Sequence, residues 1–385
     1  MAEDWEQGGF GLYLHWPFCE AKCPYCDFNS HVSRAIDQTA WCDAYLKELD
    51  RAAFETPGRV LQSVFFGGGT PSLMDPDTAA LVIERIKRNW PCANDLEITL
   101  EANPGSVEAG RFRAFRDGGV NRISMGIQAL NDADLKRLGR LHSVEEALQA
   151  FEIARKTFER VSFDLIYARQ GQGLEAWQAE LEGALSLAVD HLSLYQLTIE
   201  QGTAFGDRYN AGRLRDLPDE DLGADLFSLT QDICDRHGLP AYEVSNHARD
   251  GAQSRHNLIY WRYGDYIGIG PGAHGRLTLS GQKYATECYS NPNRWLSAAS
   301  DGAPEKPRVR LSATDQASEL LLMGLRLKEG VNIQRYEALA GLRLDPTRLT
   351  ELRNLGMIDI QNGHLIVLDQ GVILLNSVIA KLLDS

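Results

Sequence analysis

Short apolar runs of strand type alternate with amphipathic helical stretches through the first half of the chain. This alternation is typical of a parallel sheet whose strands are joined by crossover helices. Several of the runs are almost continuously apolar, which is expected for strands that are covered on both faces. We predict six strands at residues 11–15, 63–66, 96–101, 122–126, 160–167 and 191–198, and five helices at residues 40–54, 76–90, 106–117, 144–158 and 174–187.

Six units of strand and helix predict an α/β fold built as a partial, TIM-like (β/α)6 barrel. In such a sheet the ligand site lies at the carboxyl ends of the strands. The alternation stops after the sixth strand, and a helix at residues 219–237 leads into a stretch rich in Gly and Tyr that extends to Gly275.

The C-terminal part of the chain has a different pattern. Helices are predicted at residues 313–327 and 346–354, and Asn362-Gly363 marks the turn of a hairpin at residues 358–366. Helices followed by a hairpin indicate a small α+β domain that is winged-helix-like. We therefore expect a barrel with its ligand site at residues 1–210, a barrel extension at residues 211–303 and, starting with a linker at residues 304–307, a C-terminal domain at residues 304–385.

The composition excludes several classes of protein. The chain has 385 residues, 44% of them hydrophobic, and a formal net charge of −14, which argues against a nucleic-acid partner held through its phosphates. The acidic N-terminus lacks the basic and apolar regions of a signal peptide, and no apolar run reaches the ~18 residues that cross a bilayer. We expect a cytoplasmic protein without stable membrane insertion, and we leave a homodimer open.

Three cysteines follow the first predicted strand with the spacing C-x-x-x-C-x-x-C, at Cys19, Cys23 and Cys26. A cubane 4Fe-4S cluster normally takes four Cys ligands, so a loop with three leaves one iron free to bind a small molecule. The amino and carboxylate groups of S-adenosylmethionine (SAM) can bind that iron. An electron from the cluster can then cleave the S–C bond of SAM and give an adenosyl radical. The spacing therefore predicts a 4Fe-4S cluster and SAM as cofactors.

Zinc is the main alternative for this loop. His15 or His31 could complete a Cys3His set, but structural zinc sites usually combine one Cys-x-x-Cys pair with a distant second pair, which this sequence does not contain. The remaining cysteines are scattered singly, as small buried hydrophobic residues often are, at positions Cys42, Cys92, Cys234 and Cys288.

Glycines and polar residues mark the ends of the other predicted strands. Three glycines precede Thr70 at the end of the second strand, where the lack of Cβ atoms lets the backbone approach a ligand closely. Glu101 ends the third strand, Gln128 follows the fourth, Arg140 comes shortly afterwards, and Asp164 lies in the fifth. Each alone is more often a solvated or capping residue. At successive strand ends that face one cleft, they indicate a ligand site.

These motifs together resemble the anaerobic coproporphyrinogen III oxidase family of radical SAM proteins, over most of the chain. The resemblance is carried by the Cys motif with Tyr25, GGGTPS at residues 67–72, EANP at 101–104, GIQ at 126–128 and the region of Arg140. It implies Cys19, Cys23 and Cys26 as cluster ligands, and as SAM contacts Tyr13, Tyr25, Gly68, Gly69, Thr70, Glu101, Gln128, Arg140 and Asp164.

Three features resemble the haem-chaperone branch of that family. The oxidases carry a further Cys two positions after the last cluster ligand, where this chain has Phe28, and they have a longer segment before the first strand. The sequence RHNLIYW at residues 255–261 resembles the H-N-x-x-Y-W motif of the chaperones. The resemblance implies that His256 is the haem ligand. A hydrogen-bonded structural histidine is the alternative role, and His274 is a competing ligand.

The expected function follows from this branch. We expect a haem chaperone that holds a 4Fe-4S cluster and SAM in its barrel, binds haem and transfers it to haem-accepting membrane or respiratory proteins, without classical turnover. The alternative is an oxygen-independent coproporphyrinogen III dehydrogenase, which decarboxylates propionate side chains by radical chemistry. A covalent c-type haem linkage is not indicated, because the sequence lacks Cys-x-x-Cys-His.

Overall fold

The computed structural model describes residues 3–33, 35–187 and 190–383. The strands, in chain order, are β1 (Phe10–Trp16), β2 (Phe18–Cys19), β3 (His31–Val32), β4 (Leu61–Gly68), β5 (Cys92–Ala102), β6 (Arg122–Gln128), β7 (Arg160–Tyr167), β8 (His191–Gln196), β9 (Asn246–Ala248), β10 (Asp265–Ile269), β11 (His274–Leu279), β12 (Gln282–Glu287), β13 (Val309–Arg310), β14 (Val331–Asn332), β15 (Ile358–Gln361) and β16 (His364–Val367). The helices are α1 (Gln38–Glu55), α2 (Pro76–Asn89), α3 (Ser106–Asp117), α4 (Asp132–Arg137), α5 (Val144–Thr157), α6 (Leu174–Ser186), α7 (Ala204–Asn210), α8 (Glu220–Arg236), α9 (Arg255–Trp261), α10 (Pro292–Ser300), α11 (Ala313–Gly324), α12 (Ile333–Ala340), α13 (Pro346–Asn354), α14 (Asp369–Ile373) and α15 (Leu375–Leu383).

Local sequence signals set where several crossover helices begin. The Asp37 side chain accepts a hydrogen bond from the backbone of Ala40 and starts α1, and Asp75 caps α2 directly before a proline. Ser143 and Glu146 form a reciprocal capping box at the start of α5. Such caps satisfy backbone N–H groups that have no partner inside the helix, so they fix the helix starts from sequence alone.

One sheet organises the larger part of the molecule. Among the described residues it contains eleven strands in the order β13-β12-β11-β10-β1-β4-β5-β6-β7-β8-β9. The neighbours from β10 through β1 and β4 to β8 pair in parallel. The six predicted strands are β1 and β4 to β8, and the predicted α/β partial barrel is confirmed. The parallel strand β10 is an addition, because its short segment, Asp265–Ile269, contains Asp and Gly and lacks a clear strand pattern.

The barrel is stabilised by a large apolar core between the sheet and its crossover helices. Trp16, Trp177 and Trp295 are among the largest side chains that are completely buried there. A large apolar side chain contributes about 1.5–3 kcal/mol when it is fully buried, so this core holds the strand ends in fixed relative positions. None of the described helices is long and apolar enough to cross a membrane.

A smaller α+β unit lies at the C-terminus. Strands β14, β16 and β15 form a three-stranded sheet, and helices α11 and α15 pack with it around a second apolar cluster that includes Leu321, Leu365 and Ile379. The predicted winged-helix-like arrangement is confirmed. The first of its helices, α11, ends at Gly324, three residues before the predicted end at residue 327. A Cβ on Gly324 would lie 2.5 Å from Cγ2 of Val331, so glycine permits the close approach of α11 to β14.

The segment expected as a linker is held against the sheet. The backbone N–H of Tyr289 donates to the Pro304 carbonyl at 3.0 Å, and that of Lys306 donates to the Glu287 carbonyl at 2.8 Å. Glu305 pairs with Arg51 of α1 at 2.6 Å. These contacts anchor the approach to the C-terminal unit on the barrel.

Candidate functional site

The three predicted cluster cysteines lie in the loop that follows β1. Cys19 ends the two-residue strand β2, and the loop is closed by a hydrogen bond from the Cys26 backbone N–H to the Cys23 carbonyl at 3.1 Å. Residues of the loop and of the β4 end, including all three cysteines, Gly68, Gly69 and Thr70, line one cleft at the carboxyl ends of the strands. The structure therefore brings the cysteine loop and the glycine segment together.

Each thiol in the cleft has a polar neighbour. The Thr70 hydroxyl donates to Cys19 Sγ at 3.5 Å, the Arg140 guanidinium donates to Cys23 Sγ at 3.3 Å, and Ser30 Oγ lies 4.0 Å from Cys26 Sγ. Burial raises the pKa of the Cys19 and Cys26 thiols, and neighbouring thiols raise it further. Because a metal binds the thiolate and not the thiol, metal binding would offset this raised pKa and release the thiol protons.

The histidines considered for a zinc site are engaged elsewhere. Nε2 of His15 lies 2.9 Å from the Asn29 carbonyl and Nδ1 lies 3.0 Å from the Tyr13 hydroxyl. His31 Nε2 lies 3.0 Å from the Asn29 side-chain oxygen. Across the described ranges no three His, Cys, Asp or Glu side chains are grouped to hold a single metal ion. The arrangement gives no geometric support to the zinc alternative.

The two glycines at the end of β4 form a backbone wall of the cleft. Gly68 has φ of +109°, and a Cβ there would lie 2.5 Å from His15 Cε1. A Cβ at Gly69 would lie 2.6 Å from the Phe18 carbonyl oxygen. A side chain at Gly68 would therefore clash with the His15 ring of β1, and one at Gly69 would clash with the backbone of the cysteine segment, which explains physically why glycines stand here.

Gln128 and Arg140 leave polar atoms without partners inside the cleft. A β-bulge in β6 and a φ of +77° at Gln128 turn this residue out of the strand pattern. Its Oε1 is buried without a hydrogen bond among the described residues, as is Nε of Arg140. Buried polar atoms are normally paired, so these two indicate room for a polar ligand.

Glu101 and Asp164 form an acidic pair inside the barrel. Burial, with the nearby Asp164 as a second cause, raises the pKa of Glu101 to about 8. Burial raises the pKa of Asp164 to about 6, against the opposing effect of hydrogen bonds from Ser193 and Ser124. Ser124 Oγ lies 3.4 Å from an Asp164 oxygen. The site therefore contains a carboxyl that stays protonated near neutral pH and can donate as well as accept.

The two predicted tyrosine contacts have different positions. Tyr25 lines the cleft with the cysteines, and its ring lies 6.4 Å from that of Phe205. Tyr13 is not among the residues that line the cleft; it lies deeper in the barrel, with its ring 6.1 Å from that of His256. All the other predicted SAM contacts line the cleft, namely Gly68, Gly69, Thr70, Glu101, Gln128, Arg140 and Asp164.

Sequence reasoning did not single out Asn103, which connects two sides of the cleft. Its side-chain oxygen accepts from Arg140 Nη2 at 2.6 Å, and its nitrogen donates to the Thr70 hydroxyl at 3.2 Å. Its place in EANP was a usable signal. Phe28 also lines the cleft and is 59% exposed, so an apolar ring stands where the oxidases of the family resemblance carry a cysteine.

His256, the predicted haem ligand, is enclosed in this structure. It is 2% exposed, its Nδ1 lies 3.0 Å from Ser63 Oγ, and its Nε2 lies 2.6 Å from the Tyr260 hydroxyl. Its ring stacks on Phe65 at 4.7 Å. Burial lowers the pKa of His256 to about 3, so the imidazole is neutral. The competing ligand, His274, is exposed at the start of β11.

Comparisons with known proteins agree with this architecture. A family model described as the Radical SAM superfamily matches residues 13–182, and one described as the HemN C-terminal domain matches residues 311–374. The solved structure of coproporphyrinogen III oxidase (HemN) from Escherichia coli, described as a radical SAM enzyme, superposes with a TM-score of 0.80 at 21% identity, over 97% of this chain and 90% of that one.

Two curated relatives are similar over most of their length. The chain is 39% identical to "Heme chaperone HemW" of Escherichia coli, over 88% of each chain. It is 37% identical to "Radical S-adenosyl methionine domain-containing protein 1, mitochondrial" of Danio rerio, over 97% of this chain and 86% of the relative. With this identity and coverage, the chain belongs to the HemW haem-chaperone family of the radical SAM superfamily and has the fold of the coproporphyrinogen III oxidase HemN.

Proposed function

We propose that this protein is a haem chaperone that binds haem and transfers it to haem-requiring respiratory proteins, with a 4Fe-4S cluster and SAM held in the strand-end cleft. The observation that carries the proposal is the 39% identity to the Escherichia coli haem chaperone over 88% of both chains. The H-N-x-x-Y-W segment of α9 and Phe28 in the cleft support this branch over the oxidases.

Cys19, Cys23 and Cys26 would hold the cluster, which supplies, when bound, the electron that cleaves the S–C bond of SAM. Thr70 and Arg140 donate hydrogen bonds to two of these sulfurs and would stabilise their thiolate form. Three thiols at one strand end would leave one iron of the cluster open for the methionyl end of SAM.

The remaining cleft residues would bind and orient SAM. Gly68 and Gly69 present backbone without Cβ atoms, and the unpaired Gln128 Oε1 and Arg140 Nε offer an acceptor and a donor. Glu101, whose pKa of about 8 keeps a proton on the carboxyl at neutral pH, would share hydrogen bonds with the ribose hydroxyls. With Glu101 protonated, Glu101 and Asp164 together carry at most one negative charge in the barrel.

Haem ligation through His256 requires a local rearrangement. A metal ligand must be a neutral imidazole, and the low pKa of His256 satisfies this condition. Both ring nitrogens are, however, hydrogen-bonded to Ser63 and Tyr260. Ligation through Nε2 therefore includes loss of the Tyr260 hydrogen bond and opening of α9 away from β4.

Coproporphyrinogen III dehydrogenase activity is the second candidate. It is favoured by the close fold similarity to the oxidase and by a cleft that suits the same two cofactors. It is disfavoured by Phe28 at the position of the further cysteine of the oxidases. This function predicts conversion of coproporphyrinogen III to protoporphyrinogen.

The deciding experiment measures haem binding, haem transfer and turnover on one anaerobically reconstituted sample. We expect tight haem binding, transfer to an apo-cytochrome, and no protoporphyrinogen. Protoporphyrinogen formation at a rate that does not depend on haem would establish the second candidate instead. The variants His256→Ala and His274→Ala test the two ligands, and His237→Ala, at the exposed end of α8, is the control.

A further inference from the structure

A second cavity lies between α9 and the C-terminal unit, away from the strand-end cleft. Its volume is about 360 Å³, and it is lined by Trp261 at the end of α9, Arg326 after α11, and Leu374 and Asn376 at the junction of α14 and α15. Glu243, in the segment before β9, completes the polar side. The cavity therefore combines apolar walls with a few charged and polar groups, as ligand pockets commonly do.

Arg326 has no ion-pair partner among the described residues. Its Nη1 is buried without any hydrogen bond in the described part of the chain, and its Nη2 makes only a long hydrogen bond of 3.4 Å to Asn376 Oδ1. Other partly buried arginines are paired: Arg276 binds Glu319 at 2.7 Å, and Arg335 binds Asp4 at 2.7 Å. A half-buried guanidinium without a carboxylate is costly, because it has lost water without gaining an opposite charge.

Glu243 lies in the same cavity and its charge acts on Arg326, but the two side chains form no ion pair among the described residues. Its carboxylate accepts hydrogen bonds from the Asn246 side chain and, at 3.3 Å, from the Ser245 backbone. Burial raises the pKa of Glu243, against the opposing effect of these hydrogen bonds. In the described part of the chain, Arg326 Nη1 therefore has no hydrogen-bonded carboxylate and can bind an anion from outside the chain.

Trp261 gives the cavity an aromatic wall that belongs to the H-N-x-x-Y-W segment. His256 and Tyr260 are four residues apart on α9 and contact each other, with His256 stacked on the β4 side of the helix. Trp261 follows one residue later and lies on the cavity side, with the Arg326 guanidinium 6.0 Å from its ring. The segment thus presents two surfaces, one toward the barrel and one toward the C-terminal unit.

We propose that this cavity binds the carboxylate-bearing edge of a flat apolar ligand, with Arg326 as the partner of the carboxylate and Trp261 as the apolar wall. The inference rests on the proposed function in one respect: the ligand is then haem, and Arg326 pairs with a propionate. A cavity of about 360 Å³ is small for a drug-sized ligand. It takes one edge of the macrocycle and leaves the rest accessible for transfer.

The test uses protoporphyrin IX, which has the propionates of haem but no iron for His256 to ligate. Wild type is expected to bind it, and Arg326→Ala to bind it about 10-fold more weakly, the loss typical of a charged hydrogen bond. Arg326→Lys should recover part of the affinity. The dimethyl ester of protoporphyrin, which has no carboxylate, should bind wild type and Arg326→Ala equally. Arg353→Ala, an exposed arginine paired with Asp359, is the control for general charge effects.

Failure of this inference and failure of the proposed function give different results. Unchanged protoporphyrin binding by Arg326→Ala, or no binding by wild type, overturns the cavity assignment even if haem is bound and transferred through His256. Binding of protoporphyrin that depends on Arg326, without any haem transfer, supports the cavity and removes the chaperone function.

Discussion

The strand-end cleft and helix α9 both carry motif residues, but they differ in how well those residues are satisfied without a ligand. In the cleft, Gln128 Oε1 and Arg140 Nε are buried and unpaired among the described residues, and the thiol pKa values of Cys19 and Cys26 are raised. On α9, both nitrogens of His256 are hydrogen-bonded. The cleft is therefore prepared for the proposed ligands, whereas His256, if it binds haem, must first give up existing contacts.

This difference has an energetic consequence. Binding in a prepared site gains the full value of new hydrogen bonds, because the polar atoms had no partners before. Binding at His256 gains only the difference between the iron bond and the contacts that it replaces. A weaker, reversible haem site would suit the proposed transfer of haem to another protein.

The largest effect is expected for the cluster ligands. Replacement of Cys23 by Ser removes one of the three thiolates and should abolish formation of a 4Fe-4S cluster, measured by iron and sulfide content and by visible absorbance after anaerobic reconstitution. Cys42→Ser, at a buried cysteine of α1 outside the cleft, is the matched control and should reconstitute normally. Equal iron content in both variants would mean that the loop does not hold the cluster.

The next effect concerns the pH dependence of stability without cofactors. The folded-state pKa of Glu101, about 8, lies above its ordinary value of 4.5, so its contribution to stability is fully present below pH 4.5 and is lost as the pH rises through 8. Glu101→Gln keeps the shape and removes the titration. Between pH 5 and 8, the unfolding free energy of wild type should fall with rising pH more steeply than that of Glu101→Gln, by roughly 1.4 kcal/mol per pH unit.

Chemical denaturation of the apoprotein at several pH values measures this slope. Glu159→Gln, at an exposed carboxyl before β7, serves as the control and should leave it unchanged. A slope that is the same in wild type and Glu101→Gln would show that Glu101 is ionised in the folded barrel.

The smallest effect concerns α9. Tyr260→Phe removes the hydroxyl that lies 2.6 Å from His256 Nε2. If His256 is the haem ligand, haem binding to this variant no longer breaks a hydrogen bond worth about 1 kcal/mol. Haem affinity should therefore rise about fivefold. Haem titration followed by absorbance measures the change.

Tyr266→Phe is the matched control. The Tyr266 ring centroid lies 4.2 Å from that of Tyr260, but among the described residues the Tyr266 hydroxyl makes no hydrogen bond to His256. Equal haem affinity of Tyr260→Phe, Tyr266→Phe and wild type would argue for a structural role of His256. The cleft would then be the ligand site, and α9 would be a packing element.

Much of the barrel follows from sequence because its signals are local. Apolar runs specify buried strands, capping residues such as Asp37 and Ser143 start helices, and the glycines before Thr70 permit a close backbone approach. The cleft residues could be grouped in advance because parallel strands end at one edge of the sheet. Strand β10 escaped this reasoning, since a short segment next to β1 is stabilised by pairing with a distant part of the chain.

The sequence by itself determined the six strand-and-helix units of the barrel, the cysteine loop and the branch of the family. The tertiary structure alone decided the environment of each side chain: that Tyr13 lies below the cleft, that His256 is enclosed between Ser63 and Tyr260, and that Arg326 Nη1 has no hydrogen-bond partner among the described residues. The physical reason is that spacing along the chain is a local property, whereas burial, hydrogen-bond partners and pKa depend on segments that meet only after folding.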